Sequence, residues 1–140
     1  MDPSPTDLFH ELTFYTLDHP DKIYFIHQHA VDAWQAQTAD ENTKPIAITF
    51  SLVGLYLYLE KAYTGRQVQL AHIKLTQHKK IWPKFQLPDK RGDIMVSDVV
   101  KAAPGQQRDS MIRNWCSSVW EAYEHSHGTI ASLLKSELDV

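Results

Sequence analysis

The chain has 140 residues, 43% of them hydrophobic, with a formal net charge of −3 and a sequence pI of about 6.2. This length predicts one globular domain over residues 1–140, and the acidic balance argues against a nucleic-acid partner. A single cysteine rules out a disulfide framework, and the lack of a long apolar run or a basic N-terminal segment predicts a cytoplasmic protein without membrane contact.

The first two predicted helices lie before residue 38. Ser4 can cap a helix, and Pro5 fits its first turn, where a missing N–H leaves no hydrogen bond unmade. Apolar residues then recur at helical spacing at Leu8, Leu12 and Tyr15, and again at Ile23, Ile26, Ala30, Ala33 and Trp34. We therefore predict one helix beginning near Ser4, a second over residues 23–37, and a polar loop over 38–44.

The third predicted helix covers residues 45–63 and is apolar almost all round. Because this segment is too long for one strand, we predict a central helix that the other helices surround. Gly54 in its interior costs up to about 1 kcal/mol relative to alanine. We expect a neighbouring helix to approach closely at Gly54, since that contact would offset the cost.

The rest of the chain combines further helical patterns with one irregular stretch. The predicted helices cover residues 66–77, 97–102 and 106–124, with a last helix from Thr129, and the irregular stretch is 79–96. No segment alternates cleanly between apolar and polar residues. The sequence therefore predicts an all-α fold, a single-domain helical bundle of five long helices plus one or two short ones around an apolar central helix.

The common catalytic and metal-binding motifs are absent from this sequence. It contains no H-E-x-x-H, no P-loop, no G-x-G-x-x-G and no G-x-S-x-G. Cys116 lies on an apolar helical arc beside Ile112 and Val119, which predicts a small buried hydrophobe and not a nucleophile. The remaining chemical signal is the count of eight histidines.

The second predicted helix carries two of these histidines on different sides. On a helical wheel that starts at Ile23, His27 falls inside the apolar face, whereas His29 and Asp32 fall on the other side. We expect His27 to face the core, where it needs a hydrogen-bond partner or a metal ion. We expect His29 and Asp32 to form a solvated pair on the surface.

Three other predicted helices carry a polar side chain beside apolar neighbours. His10 shares a face of the first helix with Phe14. Glu60 lies beside apolar residues of the central helix, and Gln69 and His72 share a stripe of the fourth. Helix bundles build metal and ligand sites from such groups on facing helices.

Two interpretations of these polar groups remain open at this stage. In the first, His10, His27 and His72 converge on a divalent metal ion such as Zn²⁺, Ni²⁺ or Mn²⁺, and Glu60 and Gln69 contribute to ligand binding. In the second, each is a separate buried group that hydrogen-bonds to tyrosine, glutamine or backbone partners.

The start of the fourth predicted helix offers a candidate anion site. Exposed N–H groups at Gly65 and the guanidinium of Arg66 suit an anionic ligand. The alternative is that Gly65 only turns the chain and that Arg66 pairs with an acidic side chain.

Several stretches of the sequence together carry a resemblance. They are His10-Glu11-Leu12, residues 25–33, 44–46, 52–57 and 64–69, His72, Trp82-Pro83 and Arg91-Gly92. Over roughly residues 10–125 the chain resembles a small uncharacterised bacterial family, a domain of unknown function. The resemblance implies a bacterial, single-domain context and no assigned activity, and it marks His10, His27, His29, Asp32, Gly65, Arg66 and His72 as the place to look for a shared site.

The leading hypothesis is a helical-bundle protein that binds a divalent metal or a small ligand through inward-facing histidines. The competing hypothesis is a non-catalytic interaction module that forms a homodimer. An exposed helix edge such as Ile130, Leu133 and Leu134 would mark that interface.

Overall fold

The computed structural model describes residues 2–18, 24–78 and 81–140. Across these ranges the chain forms seven α-helices, one 3₁₀ turn and no β-strand, so the predicted all-α fold is confirmed. The elements are α1 (Pro5–Leu17), α2 (Ile26–Thr38), α3 (Pro45–Lys61), α4 (Gly65–His78), α5 (Val96–Lys101), α6 (Gln106–Ala122), the 3₁₀ turn (Glu124–Ser126) and α7 (His127–Leu138).

Two of the predicted helix starts are fixed by local hydrogen bonds. The Ser4 hydroxyl accepts from the N–H of Asp7, and the Asp7 carboxylate accepts from the N–H of Ser4, so α1 begins with a capping box. Thr64 and Gln67 make the same reciprocal pair at the start of α4. These bonds satisfy N–H groups that the first turn of each helix leaves without partners.

α3 lies in the interior, as its apolar sequence predicts. It packs against α2, α4, α6 and α7, and nine of its 17 residues are buried. α2 is a second interior helix, since it packs against α1, α3, α4 and α6. α2 and α3 are therefore the two interior helices of the fold. α2 buries polar groups as well as apolar ones.

The predicted close approach at Gly54 is confirmed. A Cβ added to Gly54 would overlap the Oδ2 atom of Asp32, which belongs to α2. Glycine is therefore required here by contact between α2 and α3. Its conformation within α3 is otherwise ordinary, because its φ angle is not positive.

α7 buries the edge that was named as a possible homodimer interface. The edge formed by Ile130, Leu133 and Leu134 is buried, at 0%, 8% and 0% exposure, because α7 packs these residues against α3 and α4. This edge is therefore not available as the homodimer interface that an exposed edge would mark. Trp82 and Phe85, which belong to the stretch predicted to be irregular, are partly buried and pack against the core.

Candidate functional site: a buried histidine–aspartate pair

The buried face of α2 extends beyond the predicted one, since it includes the predicted Ile26, Ala30 and Ala33 and also His29 and Asp32. His29 is 0% exposed and Asp32 is 3% exposed, so the prediction of a solvated surface pair is wrong. His27, predicted to face the core, is only half-buried. α2 begins at Ile26. Ile23, the first residue of the helical wheel, lies outside the described residues.

The physical reason is the size of the residues that share this side. α2 buries three alanines, at positions 30, 33 and 36, and small side chains let neighbouring helices approach closely. A helical wheel that counts only apolar residues therefore makes the buried arc too narrow. The true arc extends far enough round α2 to include His29 and Asp32.

His29 is enclosed by aromatic rings. Its imidazole stacks on Tyr58, with ring centroids 3.6 Å apart and planes 8° apart, and the Tyr24 ring meets it edge-on at 5.9 Å. Neither Nδ1 nor Nε2 of His29 has a hydrogen-bond partner among the described residues. This is unusual, because buried polar groups are almost always paired.

Only one of the two carboxylate oxygens of Asp32 has a hydrogen-bond partner among the described residues. Its Oδ1 accepts a hydrogen bond from Nε2 of Gln28 at 3.1 Å, and its Oδ2 lies against Gly54 with no partner in the described part of the chain. Cys116 completes the surroundings, since its thiol donates to the backbone carbonyl of His29 at 3.4 Å. As predicted, Cys116 is buried.

The buried environment disfavours the charged form of each of these groups. Burial, together with the positive charge of Arg113, lowers the pKa of His29 to about 3. Burial raises the pKa of Asp32 well above its usual range, and the hydrogen bond from Gln28 only partly opposes that effect. Burial also raises the pKa of the Cys116 thiol. The imidazole of His29 therefore keeps a free lone pair, which is the form that can bind a metal ion.

The structure does not bring His10, His27 and His72 together. Nδ1 of His27 lies 2.9 Å from the hydroxyl of Thr16, and Nε2 of His72 lies 2.9 Å from the carbonyl oxygen of Phe50. Within residues 2–18, 24–78 and 81–140, no three His, Cys, Asp or Glu side chains form a group that could hold a metal ion.

His10 lies on the outer side of α1. It is exposed, and so are its neighbours Phe14, at 83%, and Leu17, at 55%. The prediction that this face points inward is wrong, because α1 packs against α2 and α5 and buries Leu12 and Thr16 instead.

The other predicted ligand residues have structural partners. Glu60 is exposed and accepts a hydrogen bond from the indole of Trp120 at 3.2 Å. Arg66 donates to Gln69 at 2.7 Å, and its guanidinium lies 3.9 Å from the ring centroid of Phe25. Ligand binding by Glu60, Arg66 or Gln69 stays a prediction.

Comparison with known proteins gives one family. The sequence model of a family of unknown function, DUF5946, matches residues 3–124. The chain belongs to this family. The match covers α1 to α6, and with them His29, Asp32 and Gly54, whereas α7 lies beyond it. No curated protein and no solved structure matches significantly.

The helices of this DUF5946 protein were also compared with the requirements for a membrane span. None of its helices in the described ranges combines the length and apolar character that crossing a membrane requires.

The sequence contains a signal for the buried pair, namely a glycine inside an otherwise apolar helix and several alanines on α2. Together these small residues indicate a close helix crossing, and His29 and Asp32 lie at that crossing.

Proposed function

We propose that this protein binds one divalent transition-metal ion at His29 and Asp32. The observation that carries the proposal is the presence of three buried polar atoms without partners, Nδ1 and Nε2 of His29 and Oδ2 of Asp32. Leaving one buried donor or acceptor unsatisfied costs about 1–3 kcal/mol. A partner from outside the chain would remove that cost.

The chemistry of the two side chains favours a metal ion as this partner. Residues three apart lie on one face of a helix, so α2 presents both groups to the same neighbourhood. An imidazole nitrogen and a carboxylate oxygen are both common ligands of first-row divalent ions. Two side chains are fewer than a full ligand set, so water supplies the remaining positions. The imidazole favours Zn²⁺ or Ni²⁺ over Mn²⁺, Ca²⁺ and Mg²⁺, for which oxygen ligands are more suitable.

The experiment is a calorimetric titration of the metal-stripped protein, purified without a histidine tag, with Mn²⁺, Ni²⁺, Zn²⁺, Ca²⁺ and Mg²⁺. We expect saturable binding of at least one transition-metal ion at one site per chain, and weaker binding of Ca²⁺ and Mg²⁺. No binding by any transition-metal ion would overturn the proposal. An internal water would then be the partner of His29 and Asp32, since buried waters commonly satisfy such groups.

Matched variants locate the binding. His29→Phe keeps an aromatic ring to stack on Tyr58 and removes both ring nitrogens. His72→Phe is the control, since His72 also stacks on an aromatic ring, that of Phe50, with centroids 4.6 Å apart. We expect His29→Phe to abolish metal binding and His72→Phe to leave it intact. Loss of metal binding in His72→Phe but not in His29→Phe would contradict the site at His29 and would favour the sequence-based prediction that includes His72.

A homodimer is the second candidate, and one observation favours it. Leu70 and Ile73 lie three residues apart on α4 and are 59% and 53% exposed. Such a pair on one helix face is a suitable contact for a second copy. We expect light scattering to show a dimer that the double substitution Leu70→Lys with Ile73→Lys converts to a monomer. A native protein that is monomeric at high concentration would exclude the dimer.

A further inference from the structure

A cavity of the described structure lies beside α2 and is lined by neither His29 nor Asp32. It has a volume of about 550 Å³ and is bounded by α1, α2, the start of α5 and residues 89–91. Its apolar wall consists of Pro5, Leu8, Trp34, Met95 and Val96. Small-molecule sites in proteins typically have volumes of about 300–1,000 Å³ and apolar linings.

Two polar residues of the wall, Gln37 and Thr38, make hydrogen bonds within the protein. Nε2 of Gln37 donates to the carbonyl oxygens of Arg91 and Ile94, at 3.2 and 2.8 Å, and its Oε1 accepts from the indole of Trp115 at 2.9 Å. The Thr38 hydroxyl donates to a backbone carbonyl within α2 at 2.7 Å. Both Nε2 hydrogens of Gln37 are therefore used within the protein, and its Oε1 already accepts one hydrogen bond.

Arg91 has the same structural role. Its guanidinium donates to the carbonyl oxygens of Pro88, Gln37 and Ala39, and so fastens the irregular segment to the C-terminal end of α2. With these bonds in place, the surface that remains for a ligand is mainly apolar and aromatic.

The aromatic part of that surface is rigid. Trp34 stacks on Phe9, with ring centroids 4.6 Å apart and planes 4° apart, so the indole is held before any ligand arrives. Met95 lies at the rim and is 46% exposed. A methionine side chain adapts to ligands of different shape, so the rim can close over an apolar molecule.

Besides Arg91, which is bound to backbone carbonyls, two charged side chains lie at the rim of the cavity. Asp89 and Lys90 are adjacent residues of opposite charge that both line the cavity. Nζ of Lys90 already pairs with Asp93 at 3.0 Å, and both side chains are more than 80% exposed. Such solvated charges contribute little to the recognition of a ligand.

We propose that this cavity is a binding site for a small, uncharged, apolar molecule. The site is independent of the metal-binding proposal, because neither His29 nor Asp32 lines it. The test for binding of an apolar ligand in this cavity is therefore separate from the test for metal binding at His29 and Asp32.

The test uses straight-chain primary alcohols, from butanol to octanol, titrated into the native protein by calorimetry. Because burying one methylene contributes up to about 0.8 kcal/mol, we expect affinity to rise by up to about fourfold for each added carbon. Octanoate and octylammonium have the same apolar chain with a charged head, and we expect both to bind more weakly than octanol. An affinity that does not depend on chain length, or that is highest for a charged head, would overturn the proposal.

Two threonine substitutions give a matched test of location. Thr38 lines the cavity and Thr76 does not, yet both are exposed, both lie near the end of a helix and both donate to a backbone carbonyl of their own helix. We expect Thr38→Trp to block octanol binding and Thr76→Trp to leave it unchanged. If Thr38→Trp fails to fold, Met95→Trp fills the same cavity from its exposed rim. Equal octanol binding by the native protein and by a folded blocking variant would contradict this location.

Discussion

The unpaired carboxylate oxygen of Asp32 lies against the backbone of Gly54, in the space that the Cβ of any larger residue would occupy. α2 and α3 can therefore bring Asp32 into the core only because position 54 has no side chain. This relationship joins two features of the sequence, a glycine in an apolar helix and an aspartate on a neighbouring helix, into one site.

Gly54→Ala is predicted to destabilise the protein. Forcing a methyl group into a filled core costs about 1–3 kcal/mol, which outweighs the gain of up to about 1 kcal/mol from replacing glycine in a helix. Gly128→Ala in α7 is the control, because a Cβ there would meet nothing within 4 Å. Chemical denaturation should show a lower free energy of unfolding for Gly54→Ala and an equal or higher one for Gly128→Ala. Equal stability of the two variants would show that Gly54 and Asp32 are not in contact.

Asp32→Asn is predicted to stabilise the metal-free protein at pH 7. Because burial raises the pKa of Asp32, the folded chain favours a proton on Asp32 more than the unfolded chain does, and each unit of that increase costs about 1.4 kcal/mol of stability. The asparagine has no such proton to hold and still offers an oxygen to Gln28. Denaturation in the presence of a chelator measures the change. A substantial loss of stability would mean that Asp32 is ionised and paired in the folded chain.

The free energy of unfolding of the metal-free protein is predicted to fall as the pH drops below about 6.5. The pKa of His29 is about 3 in the folded chain and about 6.5 in the unfolded chain, so between these values only the unfolded chain binds the proton. Burial also lowers the pKa values of His27 and His72, which act in the same direction. Asp32 acts in the opposite direction, because its raised pKa favours the folded chain as the pH falls.

Two variants separate these contributions to the pH dependence. His29→Phe should flatten the decrease in stability between pH 6.5 and pH 4, since it removes the largest opposing proton-binding difference. Asp32→Asn should steepen the decrease, since it removes the contribution that offsets His29. The groups around His29 that bear on its charge are Arg113 and the tyrosines at 24 and 58. Identical pH profiles for the native protein and His29→Phe would show that His29 titrates normally in the folded chain.

The sequence was sufficient to predict several elements of the fold. The Ser4-Pro5 start of α1 and the interior position of α3 both follow from local rules of capping and hydrophobic patterning. The close contact at Gly54 and the burial of Cys116 also follow from such patterns. These features depend on one helix and its immediate neighbour.

The location of the candidate site could not be predicted in the same way. How far the buried face extends round α2 depends on its four packing partners, α1, α3, α4 and α6. The orientation of His10 depends likewise on the position of α5, which lies far from α1 in the sequence. Long-range packing decided both cases, and one helical wheel contains no information about it.

The most direct test of the metal-binding proposal is anomalous diffraction from crystals grown with Mn²⁺, Ni²⁺ or Zn²⁺, recorded at the absorption edge of the metal. The proposal predicts one anomalous peak within about 2.0–2.2 Å of an imidazole nitrogen of His29 and of Oδ2 of Asp32. A well-ordered water at that position with no anomalous signal, or a peak only at other residues, would contradict it.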